Sequence, residues 1–206
     1  WPENCKRCEF IEKSNSAESK KKSEQRYYSK YENLLEMTNS DGSLLYFPRQ
    51  MDIRLGTICN LKCIHCGTGN SSKWLEDASL LGKYQNTEKL KQDNSWVDRD
   101  TALWNEIYDH LKEIEKFNFM GGEPFASYQH NKFLARMASS IYSANIELHY
   151  VSNGTLLNPK IIDSFKNFKR VTLNVSFDAV GKVLQFYRFP IDLSNFYKNL
   201  KILDSI

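Results

Sequence analysis

Cys59-Asn60-Leu61-Lys62-Cys63-Ile64-His65-Cys66 is the stretch on which the predicted fold and site of this chain depend. It places three thiols in one short loop, at the spacing C-x3-C-x2-C. Thiolates gathered at one point suit soft metals and iron–sulfur clusters. A structural zinc ion takes four protein ligands, whereas three cysteines leave one position of a cubane cluster without a protein ligand. We therefore expect Cys59, Cys63 and Cys66 to be metal ligands.

The composition is that of a globular protein, and it argues against several classes of binding partner. The chain has 206 residues, of which 41% are hydrophobic, so one domain of ordinary size or one domain with an appendage is expected. A net charge of +3 gives no indication of nucleic-acid binding. No apolar run approaches the roughly 20 residues that a membrane-spanning helix needs. We expect neither a nucleic acid nor a membrane as partner.

The cysteines fall into two tight groups, Cys5 with Cys8 and the three of the loop. An odd, clustered set without a secretory leader favours metal binding in a reducing compartment over a disulfide framework. We therefore expect a cytoplasmic protein.

Four apolar stretches predict β-strands, and patterns of helical period separate the later ones. The predicted strands are 50–56, 117–120, 146–151 and 171–177. The predicted helices are 100–115, with Asp100 as its N-cap, 126–142, 159–168 and one within 193–205. The polar stretch 67–98 is expected to be an inserted loop, with a short helix opening near Ser71. Strands that alternate with helices pair in parallel with right-handed crossovers. The sequence therefore predicts an α/β fold.

The first part of the chain, residues 1–48, is predicted to be an appendage to the domain formed by 49–206. It contains the pair Cys5-Lys6-Arg7-Cys8, a polar link at 14–22 and an amphipathic helix over 23–37. A C-x2-C pair can be half of a zinc knuckle, half of a cluster site or a redox pair. No strand precedes the pair, which weakens the redox interpretation.

Every predicted strand ends in a polar or glycine-bearing motif. After the cysteine loop of the first strand these are Met120-Gly121-Gly122-Glu123-Pro124, Ser152-Asn153-Gly154-Thr155 and Ser176-Phe177-Asp178. The carboxyl ends of parallel strands meet at one edge of a sheet, where α/β sites form. Each motif alone has an ordinary explanation as a turn or a helix cap. Their succession at four strand ends favours a common site.

The order of these motifs resembles that of the radical SAM superfamily, over about residues 49–190. The resemblance implies a partial (β/α) barrel of parallel strands with helices outside. The family's barrel has more strands than the four predicted here, so the sequence is expected to be incomplete at its C-terminal end. It also implies that Cys59, Cys63 and Cys66 hold a [4Fe–4S] cluster whose open iron binds S-adenosylmethionine.

The same resemblance assigns residues to the cofactor. His65 stands where the family usually has an aromatic residue beside the adenine, and its planar ring can still stack. Glycines allow a ligand to approach the backbone, and a carboxylate can complement an ammonium group. The residues assigned to S-adenosylmethionine are His65, Gly121, Gly122, Glu123, Ser152, Asn153, Ser176, Asp178 and Arg188. No residue is assigned to the chemistry on the substrate.

Residues 1–13 resemble a segment of twitch- or SPASM-like members, in which Cys5 and Cys8 would bind an auxiliary iron–sulfur cluster. Two ligands alone make such a site incomplete. The implied reaction is reductive cleavage of S-adenosylmethionine, giving a 5′-deoxyadenosyl radical that abstracts hydrogen from a peptide or small molecule. A flavodoxin or ferredoxin would supply the electron. The alternatives are a zinc-binding interaction module and a cluster-bearing scaffold without catalysis.

Overall fold

The computed structural model describes residues 3–14, 36–80, 82, 89–90 and 95–204, which fall into two compact units, Trp1–Phe47 and Pro48–Ile206. In the first unit, helix α1 (Lys6–Lys13) follows a 3-10 turn at Glu3–Cys5. An isolated antiparallel bridge joins Thr38 and Leu44. The amphipathic helix predicted over 23–37 and the link at 14–22 lie almost wholly outside the described residues.

The second unit contains a four-stranded parallel sheet. Its strands are β1 (Gln50–Arg54), β2 (Lys116–Met120), β3 (Glu147–Ser152) and β4 (Arg170–Val175). They lie side by side in the order β1-β2-β3-β4, and every pair is parallel. The register aligns Ile53 with Phe119 and Phe119 with Tyr150. The predicted α/β fold is confirmed: over the described residues the sheet does not close, and it is consistent with a partial radical SAM barrel.

Seven further helices connect and cover the strands among the described residues of this unit. They are α2 (Trp74–Leu80), α3 (Trp96–Arg99), α4 (Thr101–Asp109), α5 (Tyr128–Ala138), α6 (Pro159–Phe165), α7 (Gly181–Tyr187) and α8 (Leu193–Leu203). The α7 helix had not been predicted, because Leu184 is its buried residue and a single buried position gives no apolar stripe.

Three predicted helices prove shorter than expected, and the one predicted over 159–168 ends at Phe165. Asp100 caps α4 as predicted, its side chain accepting from the Leu103 amide, but the helix ends at Asp109. Leu111 and Ile114 lie in the turns after the helix and are buried. The apolar pattern therefore continues past the end of the helix, which made the predicted helix too long. The α5 helix begins only at Tyr128, because the Ser127 hydroxyl accepts from the amide of His130 and acts as the N-cap.

The two faces of the sheet differ in polarity. One face is apolar and packs against α5 and α6: Phe117 meets Phe133, and Tyr150 meets Phe165. The side chains of the opposite face are mostly polar and partly exposed, with Met120 and Val151 as apolar members. There, hydrogen bonds run from Asn174 to His149, between His149 and Asn118, and from Asn118 to Asp52. We call these four residues, one from each strand, the polar row.

Among the described residues, no helix is both long and apolar enough to cross a membrane.

Candidate metal and cofactor site

The cysteine loop is joined to the Gly-Gly-Glu motif by backbone pairing that continues past the ends of β1 and β2. The Leu55 amide donates to the Met120 carbonyl at 2.7 Å. Beyond it, the Gly122 amide donates to Gly56 at 2.9 Å and the Glu123 amide to Ile58 at 2.8 Å. Cys59 therefore begins its loop directly beside the motif that ends β2.

Both glycines of this motif are required by the close approach of the two chain segments. A Cβ atom on Gly122 would lie 2.3 Å from the Ile58 carbonyl oxygen. Gly121 has a φ of 132°, which strains any L side chain, and a Cβ there would lie 2.8 Å from the Gly56 oxygen. Packing thus explains both glycines, and each also lines the pocket described below.

The other side of the cysteine loop is held by the segment that follows α7. The Lys62 amide donates to the Phe189 carbonyl at 2.7 Å, and the Ile64 amide donates to Tyr187 at 2.9 Å. The Trp74 indole N–H donates to the Cys63 carbonyl at 2.9 Å. Hydrogen bonds to three parts of the chain therefore fix the loop without the help of a metal.

Two of the three loop thiols form a close group with His65. The Sγ atoms of Cys63 and Cys66 and a ring nitrogen of His65 lie within 4.8 Å of one another. The Cys59 thiol is not part of this group, and it lines the same pocket, described below.

The three thiols can hold a cluster with several metal atoms, because each thiolate would then bind its own iron. The three-thiol donor set fits an iron–sulfur cluster on chemical grounds as well. A single zinc ion remains the alternative for the Cys63, His65 and Cys66 group. The sequence assigned His65 to the adenine and not to a metal, because its neighbour Cys66 is already a predicted metal ligand.

Burial makes the Cys59 and Cys63 thiols hard to ionise without a metal. It raises the pKa of Cys59 and raises the pKa of Cys63 to about 11, although the Arg188 cation opposes the rise at Cys63. Three donors face the two sulfurs: the Leu61 amide at 3.5 Å and the Asn153 amide nitrogen at 3.9 Å from Cys59, and Nη1 of Arg188 at 3.8 Å from Cys63. Metal binding would displace the thiol protons, and these donors would then stabilise the thiolates.

Glu123 is almost fully buried and joins the ends of β2 and β3. Its Oε1 accepts from the Ser152 hydroxyl at 2.8 Å and from the Phe125 amide at 3.2 Å, and its Oε2 accepts from the Asn153 amide at 2.6 Å. Burial raises the pKa of Glu123, and these three donors oppose the rise. The carboxylate is thus engaged within the protein; its contact with a ligand stays a prediction.

The Ser152-Asn153-Gly154-Thr155 turn is bound to the cysteine loop. The side-chain amide of Asn153 donates to Oδ1 of Asn60 at 2.9 Å, and the side-chain amide of Asn60 donates to the Thr155 hydroxyl at 2.8 Å. From α8, the Asn199 amide donates to the Gly154 and Thr155 carbonyls at 3.0 and 3.2 Å. Asn60 and Asn199 had not been singled out, because isolated asparagines carry no recognisable pattern.

These elements enclose one pocket of about 220 Å³ at the carboxyl edge of the sheet. Its lining includes the three loop cysteines and seven of the residues assigned to the cofactor: His65, Gly121, Gly122, Ser152, Asn153, Ser176 and Arg188. Leu61, Asn70 and Val151 complete it and had no signal in the sequence. Glu123 and Asp178 do not line the pocket. They bind residues that do: Glu123 binds Ser152 and Asn153, and Asp178 binds Arg188. The structure thus gathers four strand ends around the thiols.

Cys5 and Cys8 belong to the first compact unit. Cys5 ends the 3-10 turn before α1 and Cys8 lies within that helix, and both are free thiols. Their assignment to an auxiliary site stays a prediction.

Comparison with known proteins gives two matches. The family model described as the Radical SAM superfamily matches residues 53–205. A curated relative, named radical SAM cyclopropyl synthase TigE, from Paramaledivibacter caminithermalis, is 25% identical over 146 residues. The match covers 70% of this chain and 30% of the relative, so the chain spans less than a third of that protein's length. No solved structure matches the chain.

Proposed function

The chain belongs to the radical SAM superfamily, and on this premise we propose that it is part of an enzyme that reductively cleaves S-adenosylmethionine at a [4Fe–4S] cluster. When bound, the cluster and S-adenosylmethionine supply an electron and a 5′-deoxyadenosyl radical that abstracts hydrogen from a substrate. Cys59, Cys63 and Cys66 would hold the cluster. The cofactor-facing residues would be those that line the pocket.

The observation that carries this proposal is the pocket itself. Three thiols share its lining with Gly121, Ser152, Ser176 and other strand-end residues that carry exposed backbone or hydroxyl groups. Such groups can bind the polar ends of a ligand without blocking it. A structural zinc site needs no pocket beside it, so the arrangement favours a cluster that meets a ligand.

The residues of the chain would act by positioning and by excluding water. Glu123 joins the Gly-Gly-Glu motif to the Ser152 turn, and the Asn153 side chain joins that turn to the cysteine loop. Asp178 holds Arg188 beside the loop. A ligand in the pocket would therefore meet groups whose orientation is already set, which lowers the cost of ordering them on binding.

We propose that the substrate, a peptide or small molecule, binds over the polar row. Val151 lines the pocket two residues after His149, and Ser176 lines it two residues after Asn174. Two residues of a strand span about 7 Å on one face. Asp52, Asn118 and His149 of the polar row are aligned in register and form the next layer of the same face, and Asn174 pairs with Val151 beside the pocket. Their amide, imidazole and carboxylate groups are available to a polar substrate.

The remaining features are proposals from the resemblance. A flavodoxin or ferredoxin would deliver the electron, in the cytoplasm. Cys5 and Cys8 would contribute to an auxiliary iron–sulfur cluster of twitch or SPASM type.

The test is anaerobic reconstitution with iron and sulfide, followed by a reductant and S-adenosylmethionine. We expect iron, acid-labile sulfide and broad visible absorbance, then release of 5′-deoxyadenosine. Cys59→Ala should abolish the cluster of the loop, whereas Cys8→Ala, the matched cysteine control, should keep it. Zinc without sulfide would support the interaction-module alternative. A cluster that never yields 5′-deoxyadenosine would support the scaffold alternative.

A further inference from the structure

Arg188 is a buried cation placed against the sulfur of one predicted cluster ligand. Its side chain has about 8% of its surface exposed, and Nη1 donates to Sγ of Cys63 at 3.8 Å. Its Nε lies 2.6 Å from Oδ2 of Asp178, in an ion pair. A guanidinium remains charged at any working pH, so the cation is permanent.

The backbone on either side of Arg188 is paired with the backbone on either side of Cys63. The residues on either side of it, Tyr187 and Phe189, accept hydrogen bonds from the residues on either side of Cys63. The Arg188 amide also donates to Leu184 at 2.9 Å. Cys63 and Leu184 belong to one buried apolar cluster. Two short segments, each centred on one partner of the N–H···S contact, are thus paired with each other.

The consequence of this contact is electrostatic. A cluster bound by thiolates gains negative charge when it accepts an electron. A cation and a hydrogen-bond donor at a ligating sulfur stabilise the reduced form, and hydrogen bonds to sulfur are among the factors that set cluster potentials. Burial strengthens the effect, because water screens it less.

We propose that Arg188, held by Asp178, is a positioning residue that raises the reduction potential of the cluster through Cys63. The inference rests on the proposed function, because it requires a cluster on the loop. It differs from the role implied by the resemblance, in which Arg188 would contact the carboxylate of S-adenosylmethionine. The two roles have different readouts, since a contact to sulfur acts in the absence of that ligand.

The experiment is an electrochemical titration of the reconstituted chain without S-adenosylmethionine, monitored by electron paramagnetic resonance. Arg188→Gln should shift the midpoint potential to a more negative value, with iron and sulfide contents close to those of the parent. Arg188→Lys, which keeps the charge and loses the planar fork, should give a smaller shift in the same direction. Arg136→Gln is the matched control, since that arginine contacts Asn105 and Tyr108, away from the loop.

Several results would overturn the inference. The inference fails if both Arg188 variants have the same midpoint potential as the control. If they also bind S-adenosylmethionine more weakly, Arg188 is a ligand contact. Failure of both variants to hold a cluster would make Arg188 a structural part of the loop. A parent chain that assembles no cluster would contradict the proposed function itself, whereas a parent cluster whose potential ignores Arg188 would contradict only this inference.

Discussion

Replacing Gly122 by Ala is expected to push apart the two segments on which the cysteine loop is built. The added Cβ would lie 2.3 Å from the Ile58 carbonyl oxygen and 2.7 Å from the Thr57 carbonyl carbon. Both are backbone atoms, so no flexible side chain can move aside. Ile58 directly precedes Cys59, and the disturbance therefore reaches the first metal ligand.

The size of the effect follows from the distances. Ordinary contact begins at 3.4 Å, so the segments must separate by about 1 Å. The hydrogen bond from the Glu123 amide to Ile58, now 2.8 Å, would lengthen to about 3.8 Å and cease to be one. Overpacking costs about 1–3 kcal/mol and each lost hydrogen bond about 1 kcal/mol, so we expect a loss of about 2–4 kcal/mol.

Urea unfolding followed by circular dichroism measures this loss in the chain before reconstitution. Iron and sulfide contents after reconstitution measure the effect on the loop, and we expect both to fall. Gly69→Ala is the matched control, because a Cβ at Gly69 has no neighbour within 4 Å and should change neither quantity much. If Gly122→Ala lost less than about 1 kcal/mol of stability and kept its full iron content, the close backbone approach would not be what holds the cysteine loop in place.

Three further predictions concern other parts of the chain. Glu123→Ala should lower the free energy of unfolding by about 2–4 kcal/mol, because three buried donors lose their acceptor; a loss below about 1 kcal/mol in urea would contradict this. Burial lowers the pKa of His130 to about 4, whereas the unfolded residue titrates near 6.5. The unfolded state therefore takes up a proton first, and stability should fall by up to about 3 kcal/mol between pH 6.5 and pH 4; His130→Gln should reduce that fall, and an equal fall in both proteins would refute the assignment. Replacing Cys5 and Cys8 by Ala should leave the iron of the cysteine loop and the release of 5′-deoxyadenosine largely intact, and loss of either would show that the pair serves that cluster.

The sequence by itself determined the features that depend on local pattern. Short apolar stretches located all four strands, and the predicted Asp100 N-cap located the start of α4. The spacing of the three loop cysteines and the motif after each strand identified the family and the edge of the sheet where the site lies. Each of these signals is carried by residues within a few positions of one another, so chain geometry alone translates them into structure.

Only the tertiary structure decided which partner each side chain has. The Glu123 carboxylate turns inward to the Ser152 turn, Arg188 reaches a thiol 125 positions earlier in the chain, and four strands each supply one member of the polar row. Helix ends also depended on packing: Leu111 is buried although it lies in a turn beyond the end of α4. The physical reason is that such contacts join residues far apart in sequence, and their geometry exists only once the strands are aligned in register.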